Sequence, residues 1–198
     1  MLLTNIPMDH PMFAEGRWHD ARWQHRQVMR LFGDLGDNSQ ARSRGAVLFR
    51  VEPDVAGGRV LIQSSVPPIQ SGLRTTGLGA VLERYAAGQR AQLLLTANTV
   101  RTINRTGLDG TTRTHRARVP ESQLGSWLKD RLHSAIELHD TISITPGVRR
   151  QGKAQLICTT FRATGTVTDP DRLRSLCIEG IGRAKAYGCG LLTALPLT

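Results

Sequence analysis

The run Ala46-Val47-Leu48-Phe49-Arg50-Val51-Glu52-Pro53-Asp54-Val55-Ala56-Gly57-Gly58-Arg59-Val60-Leu61-Ile62-Gln63 reads as two short strands, 46–51 and 59–63, on either side of a Pro-Asp and Gly-Gly turn region. Upstream, Leu2–Met8 reads as another short strand and Pro11–Gly16 as a loop. Between them, Trp18, Ala21, Val28, Met29 and Phe32 recur at helical spacing, so 18–32 is expected to be a helix with one buried face, stopped by Gly33. The polar, turn-rich stretch 34–44 then leads into the paired strands. This order is βαββ, and a weak helix at 78–87 with a strand at 91–96 would complete βαββαβ, the ferredoxin-like or RRM-like pattern.

The second half repeats the motif less regularly. Val100–Asn104 and Thr111–Val119 flank Gly107-Leu108-Asp109-Gly110, which predicts a hairpin. Pro120 and Glu121 open a helix running through His133, with Leu124, Trp127, Leu128 and Ala135 on one stripe. Gln155–Val167 alternates, with Ile157, Phe161 and Val167 opposite Leu156, Cys158 and Thr160, as in a long strand. Asp169-Pro170-Asp171 is an N-cap signal with proline at the first helical position; Leu173, Leu176 and Cys177 face inward until Gly180 ends that helix. A glycine-rich loop and a final strand follow, and the fold class is α+β.

Charge narrows the function. The chain carries a formal net charge of +10, and of its 26 basic residues only Lys129, Lys153 and Lys185 are lysines. A surface of arginines suits bidentate contact with phosphate, so the expected partner is a polyanion, nucleic acid first. Cys158, Cys177 and Cys189 are odd in number, widely spaced and form no CxxC pair, which suggests neither a zinc knuckle nor a disulfide framework and favours a reduced compartment. No charged segment precedes an apolar signal and no run has membrane-spanning length, so a cytoplasmic protein with no membrane partner is expected.

Three groups of residues bear on chemistry. The first is Gly180-Ile181-Gly182-Arg183-Ala184-Lys185-Ala186-Tyr187-Gly188-Cys189-Gly190-Leu191-Leu192. It is neither a dinucleotide fingerprint nor a P-loop, because only one strand's worth of chain follows it and Lys185 precedes Ala186; no small-molecule cofactor is expected. Backbone amides at Gly180, Gly182, Gly188 and Gly190, with Arg183 and Lys185, can cradle a phosphodiester; the same run also reads as a helix cap and tight turn with incidental cations. The second is His25, which a helical wheel puts near the middle of the apolar stripe, with Arg22 at its edge. An inward imidazole is expected to be desolvated and neutral, fit to take a proton from a 2′-hydroxyl or give one to a departing 5′-oxygen; the rival is a core histidine with no catalytic role. The third is the hairpin, with Arg101, Arg105, Arg113, Arg116 and Arg118 against one acid, Asp109. Such a ribbon holds RNA or DNA phosphates, or is an edge strand protected by charge. The histidines lack HExxH or HxxxH spacing and the carboxylates do not cluster, so no metal is expected.

Together these segments resemble the CasE family, CRISPR repeat-RNA endoribonucleases of the type I-E Cascade complex. The closing run 180–192 is similar to the family signature G-[IV]-G-x-[AG]-K-x-x-G-x-G-L-L. Leu94–Arg101, Thr114–Pro120 and Ser126-Trp127-Leu128 resemble its RNA-binding hairpin and following helix. Trp23–Arg26, Leu48–Glu52 and Leu61–Ser64 extend the similarity in consistent order, leaving only about 65–90 and 138–152 without anchors. The resemblance implies two tandem ferredoxin-like domains, which we place at 1–90 and 91–198. It also implies metal-independent cleavage at the base of a repeat hairpin, retention of the product for assembly with other Cascade subunits, a catalytic role for His25 and phosphate contact by 180–190. One departure stands out: the family has a tyrosine three residues before this histidine, and here the position is Arg22. Arg22 is therefore expected to neutralise charge on the scissile phosphate, beside His25 and Lys185, and to depress the pKa of His25 further. The rival reading is a catalytically silent RRM-like subunit that caps the guide RNA; a metal-dependent DNA nuclease is a third.

Overall fold

A computed structural model describes residues 1–33, 45–53, 56–106 and 110–197. The turn-rich stretch 34–44 and most of the hairpin tip, Gly107, Leu108 and Asp109, lie outside the described residues, as do Asp54 and Val55.

Two four-stranded antiparallel sheets carry the fold. The first contains β1 (Leu2–Pro7), β2 (Leu48–Glu52), β3 (Arg59–Ser64) and β4 (Arg74–Gly77) in the order β2-β3-β1-β4, with α1 (Ala21–Arg30) connecting β1 to β2. A one-turn α2 (Gly79–Leu82) leads out of it. The second contains β5 (Arg90–Ala97), β8 (Ile136–Gln151), β9 (Ala154–Val167) and β10 (Leu192–Pro196) in the order β10-β5-β9-β8. Between β5 and β8 come the separate hairpin β6 (Val100–Thr106) and β7 (Thr112–Arg118), then α3 (Leu124–Leu132); α4 (Pro170–Glu179) connects β9 to β10. Renumbered within each sheet, both read 4-1-3-2, the ferredoxin-like order expected from the sequence.

Three strand expectations need correction. The strand at 91–96 does not complete the first sheet: as β5 it lies between β10 and β9 in the second, with Leu95 opposite both Leu192 and Phe161. Its buried Leu93, Leu95 and Ala97 belong to the core of the second sheet. The first sheet instead closes with β4, whose four residues are all exposed and so carry no apolar alternation to read. The third correction is β8, the long outer strand that the sequence reading omitted. Its Pro146-Gly147 pair mimics a breaker, its register slips between Leu138 and Ile142, and proline is tolerated because β8 is an edge strand. The weak helix expected at 78–87 shrinks to α2, and the helix expected at 18–32 is regular only over Ala21–Arg30.

Each sheet buries its own core. Trp23, Val28 and Leu31 from the α1 region pack against Ile6, Phe49 and Ile62 in the first, while Leu124, Leu128 and Leu132 of α3 and Leu173 of α4 pack against Leu95 and Phe161 in the second. Leu48 and Leu61 meet Leu191 at the seam between the sheets. Arg50, only 2% exposed, spans that seam. It gives hydrogen bonds to Glu52 (2.8 and 2.5 Å), to the Leu94 and Leu191 carbonyls (3.0 and 2.8 Å) and to the Thr193 hydroxyl (2.8 Å). Gln63 adds a second stitch by donating to the Cys177 and Ile178 carbonyls near the end of α4. Among the described residues no helix is long and apolar enough to cross a membrane.

Candidate nucleic-acid interface and histidine site

Asp20 starts α1 by accepting from the Arg22 and Trp23 amides at 2.9 and 3.2 Å, which satisfies two donors that the first turn would otherwise leave unpaired. The helix then faces two surfaces. Trp23 and Val28 enter the first core, whereas Ala21 packs with Leu156 and Cys158 of β9 and with Cys189, Ala184 and Tyr187 of the closing loop. Two glutamines of the helix, Gln24 and Gln27, are buried as well. His25 is consequently half-buried at the border of the buried face, with Nδ1 buried, rather than at the middle of an apolar stripe. The one-stripe wheel failed because it allowed the helix only one packing partner.

The ring facing His25 belongs to Tyr187, in the loop after α4. The two centroids are 5.9 Å apart with planes at 65°, an edge-to-face contact. Arg149 of β8 ties the helix to that loop: one Nη1 donates to Gln24 Oε1 at 3.3 Å and to the Tyr187 carbonyl at 3.2 Å. Gln24 in turn donates to the Trp18 carbonyl at 2.5 Å. Sequence spacing assigns no role to Tyr187 or Arg149, because no local signal reports a contact between residues so distant in sequence.

The glycines of the loop mostly serve the loop itself. A Cβ on Gly188 would lie 2.8 Å from Arg149 Nη1 and 2.9 Å from the Phe49 ring, and one on Gly190 would lie 2.8 Å from the Ile181 carbonyl. Gly180 would meet the Gly190 carbonyl at 2.8 Å, and the chain crosses itself there through Ile181 N–H to Gly190 O at 2.8 Å. Gly180, Gly188 and Gly190 are buried; Gly182 is exposed, with open space where its side chain would be. Lys185 places its ammonium 2.7 Å from the Glu179 carbonyl, at the C-terminal end of α4, where a cation complements the helix dipole. Arg183 is exposed beside it. Arg22 is exposed one turn before His25, its guanidinium over Gly152 in the β8–β9 turn, where a Cβ would come within 2.8 Å.

The hairpin pairs Arg101 with Ala117, Thr102 with Arg116, Arg105 with Arg113 and Val100 with Arg118. Arg101, Arg113, Arg116 and Arg118 are exposed, and the side chain of Arg105 lies outside the described residues. The two nearest its base are partly committed: Arg101 donates to Gln123 and Arg118 pairs with Glu121, each at 3.0 Å, which ties the ribbon to the start of α3. Arg113 and Arg116 have no ion pair among the described residues. Among those residues no three histidine, cysteine, aspartate or glutamate side chains gather as a metal site.

Comparison with known proteins places these features in context. The family model described as CRISPR associated protein matches residues 1–196. The CRISPR system Cascade subunit CasE of Escherichia coli K12 is 34% identical over 187 residues, covering 87% of this chain and 90% of that protein. Among solved structures, the Escherichia coli CRISPR-associated protein Cas6e superposes with a TM-score of 0.72 at 25% identity over all of both chains. Thermus thermophilus Cse3, bound to an RNA representing a pre-cleavage complex, superposes with a TM-score of 0.75 at 20% identity over 98% of both chains.

Proposed function

The chain belongs to the CRISPR associated protein family, and on that premise we propose that it is a CasE-type Cascade subunit, a cytoplasmic endoribonuclease that cuts CRISPR precursor RNA at the base of the repeat hairpin. The observation that carries the reading is the convergence of His25 with the loop 180–192: helix and loop are far apart in sequence, yet the rings of His25 and Tyr187 touch. In this reading the chain divides into units 1–90 and 91–198. His25 comes from the first, and the loop and the arginine ribbon from the second.

Cleavage proceeds without a metal. The 2′-oxygen of the nucleotide before the cut attacks its own phosphorus in line and the bond to the 5′-oxygen breaks, leaving a 2′,3′-cyclic phosphate and a 5′-hydroxyl. His25 moves a proton in this exchange, as general base, general acid or both. Lys185, anchored at the Glu179 carbonyl, together with Arg183, Arg22 and the exposed backbone at Gly182, supplies positive potential to the phosphoryl oxygens. Gly180, Gly188 and Gly190 shape the loop that presents them. Arg101, Arg105, Arg113, Arg116 and Arg118 hold the phosphates of the repeat stem, and the cut guide stays bound for Cascade assembly.

The test is cleavage of end-labelled repeat RNA in EDTA by the wild type and by His25→Ala. Wild type should cut with a cyclic-phosphate end, and the variant should bind RNA but lose roughly two to four powers of ten in rate. A 2′-deoxy sugar at the cut site should block cleavage without blocking binding. Wild-type protein that binds and never cuts identifies a silent guide-capping subunit, and activity abolished by EDTA identifies a metal nuclease.

A further inference from the structure

We infer that Tyr187 is a positioning residue for the proposed reaction: its ring edge fixes the rotamer of the His25 imidazole, and Arg149 holds the tyrosine and the helix in register. This inference rests on the catalytic reading of His25. The second side-chain torsion of a histidine, about Cβ–Cγ, is broad, so a half-buried imidazole at a helix border samples several orientations unless a neighbour restricts it. Tyr187 is such a neighbour, at 5.9 Å and 65°, within the range where edge-to-face contact is favourable.

The tyrosine's backbone is itself held from two sides. It ends a single 3-10 turn whose preceding residue, Ala184, has the left-handed φ of +58°, and its N–H donates to the Ala184 carbonyl at 2.9 Å. Its carbonyl accepts from Arg149, whose same Nη1 reaches Gln24, the residue next to His25. That guanidinium has room because residue 188 lacks a Cβ, which would otherwise lie 2.8 Å from it. Loop, β8 and helix thus close a cycle of contacts that passes through Tyr187, Arg149, Gln24 and the neighbouring His25. The effect acts through orientation, so it should appear in turnover rather than in RNA affinity.

The experiment compares Tyr187→Ala with Tyr187→Phe in single-turnover cleavage at saturating repeat RNA, in RNA binding, and in proton–carbon spectra of protein labelled at its histidines. Tyr187→Ala should slow cleavage by about 10- to 100-fold. Its RNA dissociation constant should stay within about 3-fold of wild type, the pattern of an interaction spent on turnover. Tyr187→Phe, which keeps the ring edge, should restore the rate. The His25 ring resonance, assigned with His25→Ala, should move in Tyr187→Ala and return in Tyr187→Phe, while that of His139, held by Thr164 and Thr166 on the second sheet, stays put. If His139 also moves, the truncation has loosened the fold, and Tyr187→Leu, which keeps the apolar bulk, replaces it in every measurement. Wild-type turnover in the ring-deleted variant, equal loss in Tyr187→Phe, or a loss confined to affinity each overturns the inference. A wild-type protein that cuts nothing overturns the catalytic reading, and the spectra then still report whether Tyr187 orients His25.

Discussion

Arg50 and Arg116 are the same amino acid under opposite conditions. Arg50 is 2% exposed at the seam, and its donors go to Glu52, Thr193 and the Leu94 and Leu191 carbonyls. Arg116 is exposed on a ribbon that belongs to neither sheet. In a chain with a net charge of +10, arginine count alone therefore assigns no role. A guanidinium saturated inside the protein holds it together, and one left facing water is available to an anion.

The largest effect that tests this contrast is expected from Arg50→Ala. Among the described residues it leaves Glu52, itself 6% exposed, with Arg59 alone as a charged partner and takes a donor from the Leu94 and Leu191 carbonyls, of which Leu94 keeps the Thr193 hydroxyl. Removing one partner of a buried pair costs about 3–5 kcal/mol. Calorimetry should show Tm falling on the order of 10 °C. Replacing both members, Arg50→Met with Glu52→Leu, should recover a large part of that loss, and failure to recover would mean that the carbonyl contacts matter more than the ion pair.

Acid titration is expected to come second. Burial alone would push the Glu52 carboxyl up, but the charge of Arg50 and hydrogen bonds from Arg50 and Arg59 outweigh it and hold its pKa below the usual 4.5. A carboxyl depressed on folding contributes its stability in full above the unfolded-state value and loses it as pH falls through the lower folded value. Wild type should therefore melt earlier below about pH 4.5, and the double variant should show less of that acid loss.

The ribbon should behave in the opposite manner. Arg116→Ala should leave Tm unchanged while weakening RNA binding and lowering the slope of log K against log salt by roughly 0.7–0.9, one released counterion. An unchanged slope would remove Arg116 from the contact surface. Arg118→Ala should give the smallest change, because Arg118 is already shared with Glu121 at the ribbon's base. If it matches Arg116→Ala, RNA displaces that pair.

What the sequence reveals follows the same division between local and distant causes. α4 was legible because Asp169 caps it and Pro170 starts it, and β9 because Phe161 and Val167 alternate with Leu156 and Cys158. β4 was not, since its residues bury nothing, and β8 was hidden by a register slip and a Pro-Gly pair that only an edge strand tolerates. β5 was recognised as a strand but given to the wrong sheet, because alternation specifies two faces and says nothing about which neighbours flank them. At the site, His25 and the closing loop were singled out by residue type, whereas Arg149, Gln24 and the facing ring of Tyr187 depend on tertiary contact alone. The glycines were legible as necessary, but Gly188 and Gly190 are required by the loop's own close packing.

The carbonyl of Leu191 and the hydroxyl of Thr193, which receive Arg50, sit at the start of the closing strand. During synthesis, then, the first sheet emerges before two of the acceptors that Arg50 will bond have been made. A nascent chain halted before residue 191 can make the Leu94 contact and the Gln63 stitch but not these two, so the seam closes fully only with the tail.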